Sequence, residues 1–107
     1  MRFARFQRAN NMTKKPYLYL ITSTSGHVKI GYSNDPVRRL AELRKTQGPY
    51  HYELEYLWEF YEEKQARYIE GVVHKMFKDR RVNGEWFILT VGDLLELGSY
   101  QFNGMVK

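Results

Sequence analysis

Apolar and polar positions along the chain fall into short alternating runs separated by two stretches of helical period. Residues 17–21 and 27–32 are rich in aromatic and branched side chains, and Thr22-Ser23-Thr24-Ser25-Gly26 lies between them, which predicts a β-hairpin. At period two, Tyr17, Tyr19 and Ile21 share one face of the first strand, and Lys29 and Gly31 share one face of the second. Asn34-Asp35-Pro36 then punctuates the chain: Asp35 can cap the free amides of a helix, and Pro36 suits its first position. The helix is predicted over 36–46, where Val37, Leu40, Ala41 and Leu43 recur at helical spacing, and Gln47-Gly48-Pro49 ends it. Over 52–60, Tyr52, Leu54, Tyr56, Trp58 and Phe60 alternate with Glu53, Glu55, Leu57 and Glu59, predicting a strand with one apolar core face. A long helix over 62–80 carries Ala66, Ile69, Val72, Val73, Met76 and Phe77 as one stripe and stops at Val82-Asn83-Gly84. Residues 85–89 suit a short strand, and Thr90-Val91-Gly92-Asp93 has the spacing of a capping box ahead of a last helix over 93–97.

The order β-β-α-β-α-(β)-α predicts an α+β fold, a small antiparallel sheet of about three strands flanked by helices. A chain of 107 residues has room for one such domain. It divides into a basic N-terminal arm (1–16), the domain (17–98) and a weakly patterned tail (99–107).

Charge changes the picture through its placement. Seventeen Lys and Arg stand against twelve Asp and Glu. Arg2, Arg5, Arg8, Lys14 and Lys15 precede the first acid, so the arm carries the whole net charge of +5. Such an arm suits a polyanion such as a nucleic-acid backbone, and it is equally the composition of a solvated tail. The absence of cysteine excludes a disulfide framework, a thiolate zinc site and a cysteine nucleophile. No apolar run approaches the ~18 residues that cross a bilayer, and no h-region opens the chain. A cytoplasmic protein with no membrane association is expected.

Phosphate loops, dinucleotide-binding glycines, His-x-x-x-His pairs and nucleophile-elbow serines are all missing. What remains is a constellation of Tyr, Lys, Arg, Glu and His on the hairpin and the first two helices. Tyr17-Leu18-Tyr19, then Lys29-Ile30-Gly31, then Arg39 eight residues on, then Glu70 in the second helix, together resemble the GIY-YIG nuclease family. Glu70-Gly71-Val72-Val73-His74 and Glu85-Trp86-Phe87 are most similar to a phage-type branch with K-I-G for Y-I-G and a terminal E-W-F. The resemblance spans about residues 17–90. It implies a three-stranded antiparallel sheet with flanking helices and a metal-dependent endonuclease hydrolysing phosphodiester bonds in nucleic acid, with DNA expected ahead of RNA as the substrate.

The residue chemistry suits that activity. Phosphodiester hydrolysis needs a group to orient or deprotonate water, cations where charge develops, and a divalent ion near the leaving oxygen. Tyr19 would orient or deprotonate the water, with Lys29 as the neighbouring cation that an unperturbed phenol needs. Arg39 would clamp the phosphate with its planar fork, against the alternative of an ion pair with Glu42. Glu70 would hold Mg²⁺, with Mn²⁺ as a substitute. His74 could orient Glu70, contact phosphate or shuttle a proton. Gly31 allows close backbone approach, and Asn34 or Tyr32 is a further substrate contact. Arg38, Arg44, Lys45, Lys14 and Lys15 form the expected nucleic-acid surface. Glu85, Trp86 and Phe87 are assigned to structure, the aromatics closing the core and Glu85 open to a place near the site. Lys29 where the family has its second tyrosine leaves a second reading, a non-catalytic nucleic-acid-binding module with a degenerate site. A small protein-interaction domain is a third.

Overall fold

A computed structural model describes residues 15–102. Five strands, β1 (Tyr17–Ser23), β2 (Val28–Ser33), β3 (Tyr52–Glu59), β4 (Arg81–Asn83) and β5 (Trp86–Phe87), form one antiparallel sheet in the order β3-β1-β2-β5-β4. Three helices accompany it: α1 (Pro36–Thr46), α2 (Glu63–Met76) and α3 (Val91–Gly98). The α+β class is as expected; β5 falls within the short strand predicted over 85–89, and β4 is added to the sheet.

Local chemistry explains the helix ends. The Arg38 amide donates to Asp35 Oδ1 at 3.2 Å, and Pro36 takes the first position of α1. The Glu62 amide donates to Gln65 Oε1 at 3.0 Å ahead of α2. The Asp93 amide donates to Thr90 Oγ1 at 3.0 Å while the Thr90 amide donates to Asp93 Oδ2 at 2.9 Å, which is the reciprocal box its spacing predicts. Helix α2 ends at Met76 rather than near residue 80, and Lys78–Arg80 tighten into a 3₁₀ turn. Val82 and Asn83, expected in a helix stop, belong instead to β4, and Gly84 and Glu85 make the turn of the β4-β5 hairpin, with Gly84 at φ 55°.

The sheet separates two apolar cores. On one side Leu18, Leu20, Val28, Ile30 and Phe87 pack against Ala66, Ile69 and Val73 of α2 and Leu97 of α3. On the other, Tyr17, Tyr19 and Ile21 pack against Leu40 and Leu43 of α1. Phe87 is fully buried, so truncation to alanine would cost about 3–5 kcal/mol. Strand β3 serves both sides, which corrects the single apolar face expected of it. Leu20 pairs with Tyr56 and Ile21 with Leu54, leaving Glu55 as an extra residue. The bulge turns Tyr52 and Leu54, with Leu57, toward α1, and Tyr56, Trp58 and Phe60 toward α2. No described helix is long and apolar enough to cross a membrane.

Candidate functional site

Tyr19 and Gly31 are direct cross-strand partners in the β1-β2 ladder, and Lys29 lies two residues before Gly31 on the same face. A Cβ on Gly31 would sit 2.6 Å from the Tyr19 hydroxyl and 2.5 Å from Glu85 Oε1. The missing side chain is the space in which those two groups meet. Glu85 arrives there on the turn between β4 and β5, whose position is fixed by the Ile30 amide donating to the Glu85 carbonyl at 2.9 Å.

One carboxylate oxygen organises the cluster. The Tyr19 hydroxyl donates to Glu85 Oε1 at 3.4 Å, and Lys29 Nζ lies 3.1 Å from the same atom. The Lys29 ammonium also stands 5.2 Å from the centre of the Trp86 ring. Glu70 approaches from α2, and its Oε2 is the one buried side-chain polar atom without a hydrogen-bond partner among the described residues. A buried carboxylate oxygen left in this state is costly unless a cation or proton joins it.

Electrostatics follow from this crowding. Burial, then the neighbouring charge of Glu85, raise the Glu70 carboxyl to about 7, while the Tyr32 amide and Lys29 pull the other way. Burial and Glu85 also push the Tyr19 phenol well above its ordinary range, with Arg39 opposing them. The Arg39 guanidinium has no ion pair or hydrogen bond among the described residues, and Glu42 pairs instead with Arg38 at 3.4 Å. Arg39 lines a polar cleft of about 580 Å³ with Tyr32, Ser33, Asn34, Glu63 and Glu85. No group of three or more His, Asp or Glu converges among the described residues. The carboxylates of Glu70 and Glu85 are oxygen donors of the kind that a hard ion such as Mg²⁺ takes.

Tyr19, Lys29, Arg39, Glu70 and Gly31 are thus brought to one place, and Glu85 joins them. Glu85, grouped by the sequence pattern with the structural Trp86 and Phe87, lies against Tyr19 and Lys29. The short β4-β5 hairpin sets its location, and Gly84 at the turn is the signal that could have shown it. His74 is not in this group. Its Nε2 meets the Ile30 carbonyl at 2.8 Å, its Nδ1 meets Arg81 Nη2 at 2.9 Å, and its ring packs on Phe87. Arg81 can only donate, so Nδ1 accepts and Nε2 carries the hydrogen. With both nitrogens occupied, His74 ties α2 to β2 and β4 and has no atom left for Glu70 or a phosphate.

The expected nucleic-acid surface is dispersed. Arg44 donates to the Tyr52 carbonyl at 3.0 Å, joining α1 to β3. Lys15 pairs with Glu59 at 3.0 Å, Arg38 is held by Glu42, and Lys45 projects to solvent. Lys14 and the arm arginines lie outside the described residues. Phe87 is buried as expected, and Trp86 packs at the edge of the α1-side core.

No curated protein and no solved structure matches the chain. A protein-family profile does, over residues 16–99, which takes in all five strands, all three helices and every residue of the cluster. On that match the chain belongs to the T5orf172 domain family.

Proposed function

We propose that the protein is a metal-dependent endonuclease that hydrolyses DNA phosphodiesters with a site of the GIY-YIG type. Family membership is compatible with a nuclease-type role directed at nucleic acid. The observation that carries the finer reading is the convergence of Tyr19, Lys29, Glu70 and Glu85 beside a cleft into which an unpaired arginine opens. A structural cluster would leave no buried carboxylate oxygen unsatisfied and no cation unmatched at its mouth.

Arg39 receives the scissile phosphate, its planar donors matching two phosphate oxygens. Tyr19 orients the attacking water through its hydroxyl oxygen, and the hydroxyl hydrogen already points at Glu85 Oε1. As water attacks phosphorus it gives a proton to the Tyr19 oxygen, and the phenolic proton passes to Glu85, so no free phenolate forms. Lys29 holds Glu85 in place for that transfer. This explains how a phenol raised above its ordinary range still serves. Glu70 would hold Mg²⁺ or Mn²⁺, which supplies charge stabilisation at the leaving oxygen.

Cleavage of supercoiled plasmid and of a branched DNA, with Mg²⁺, with Mn²⁺ and with chelator, tests the reading. Metal-dependent cutting by the wild type, lost in Glu70→Gln with binding retained, is expected. Salt-sensitive binding with no cutting under any condition would replace it with the binding-module reading.

A further inference from the structure

A second concavity lies on the α1 side of the sheet, at the far side of Trp86 from the cleft. It has a volume of about 250 Å³ and is lined by Tyr50, Tyr52, Trp86, His27, Gln47 and Asn83, among others. Tyr50 is half-exposed there, and Tyr52 and Trp86 lie 6.3 Å apart and tilted. None of its lining residues is an Asp, Glu, Lys or Arg. An anionic group would find no cation in its lining, and an aliphatic chain would leave the side-chain amides of Gln47 and Asn83 unmatched. Flat aromatic faces with neutral donors and acceptors at their rim match a nucleobase, which offers a π face and a polar edge. The volume falls below the ~300–1,000 Å³ of pockets for drug-sized ligands, which suits one ring system.

Its position ties it to the cleft. Glu85 lines the cleft and Trp86, the next residue, lines the pocket. Lys29, which lines neither, lies between those two side chains, with its ammonium 3.1 Å from the Glu85 carboxylate and 5.2 Å from the Trp86 ring centre. We infer that this pocket takes one unpaired nucleobase of the strand whose phosphate lies in the cleft, so that the substrate is DNA with a single-stranded or branched segment near the cut. The inference rests on the proposed nuclease reading. A base stacked and paired within a duplex has no free face to offer, and taking it out costs energy that an already unpaired base does not require.

The test uses a ten-nucleotide single strand of thymidylates carrying one 2-aminopurine, titrated with the full chain in chelator so that nothing is cut. Stacking on Tyr50 and Trp86 should quench the 2-aminopurine. Tyr50→Ala should lose most of the quenching and weaken binding roughly 5- to 150-fold, while Tyr50→Phe retains both. Tyr50 is exposed enough for its loss to spare the fold, which circular dichroism checks. Asn83→Asp, at an exposed position in the rim, should weaken binding as well by adding a negative charge. Equal quenching in wild type, Tyr50→Ala and Asn83→Asp, or no binding of the strand, would overturn the pocket. Metal-dependent plasmid cleavage alongside that result would leave the nuclease reading standing. Quenching lost in Tyr50→Ala with no cleavage of any DNA would uphold base binding and overturn the nuclease reading instead.

Discussion

The Tyr19 hydroxyl donates to the carboxylate of Glu85 across 66 residues of chain, at 3.4 Å and directly over the bare backbone of Gly31. The pairing depends on a two-residue strand, β5, docking beside β2 at Val28 and Lys29. Glu85 is therefore the residue through which Tyr19, Lys29 and Glu70 sense one another.

Glu85→Gln keeps the shape of the side chain and removes its charge. The Glu70 carboxyl should then fall below about 7 while staying raised, because burial, its largest cause, persists and only the neighbouring charge is gone. Carbon-13 titration of the glutamate carboxyls reads this directly, and an unmoved Glu70 would show that burial alone sets it. On the proposed mechanism, cleavage drops by about 10²-fold or more as the proton acceptor is lost.

Glu70 also predicts a pH dependence with a definite sign. Its carboxyl takes up a proton more readily in the folded chain than in the unfolded one, where the value is 4.5. The associated stability is complete below pH 4.5 and is lost as pH rises through about 7. Glu70→Gln should thus melt higher than wild type at pH 8, by roughly 1 kcal/mol because solvent reaches part of the side chain. Metal binding requires the ionised carboxylate, so Mn²⁺ should bind about tenfold more weakly at pH 6 than at pH 8. Calorimetric titration at the two pH values measures it.

Gly31→Ala would place a methyl group against the Tyr19 ring, whose Cζ lies 2.8 Å from the new carbon. Tyr19 is 1% exposed and cannot swing aside, so Tyr19 and Glu85 must part. A loss of about 1–3 kcal/mol in denaturant unfolding is expected, together with loss of cleavage. A variant that kept full stability would show that the strands separate freely at this point.

His74→Leu distinguishes a tie from a catalytic group. Removing both ring nitrogens leaves the Ile30 carbonyl and Arg81 without their partner, costing about 1–3 kcal/mol. Under conditions where the variant remains folded, its cleavage rate should stay within a few-fold of wild type. A collapse in rate at unchanged melting temperature would return His74 to the site.

How much of this was legible depended on the range of the interaction responsible. Helix α1 and the Thr90-Asp93 box were readable because Asp35, Pro36, Thr90 and Asp93 act on amides within three residues. The stripe of α2 placed Glu70 at the margin of its buried face, and the hairpin spacing placed Tyr19 and Lys29 on neighbouring strands. Glu85 was harder, since its role comes from β5 pairing with a strand more than fifty residues earlier. The engagement of His74 was hidden for the same reason: Ile30 and Arg81 become its neighbours only once the sheet has formed. In β3, the alternation of Tyr52, Leu54, Tyr56, Trp58 and Phe60 continues through Glu55 without a break, so nothing in the pattern announces the change of face.

That extra residue in β3 has a consequence for how the domain comes apart. Strand β3 contributes Tyr52 and Leu54 to the layer beneath α1 and Tyr56 and Phe60 to the layer beneath α2. Neither layer can loosen without withdrawing side chains that its neighbour also needs through the same backbone. The two layers are therefore coupled through one strand, which favours a single cooperative transition for the domain rather than separate loosening of its two faces.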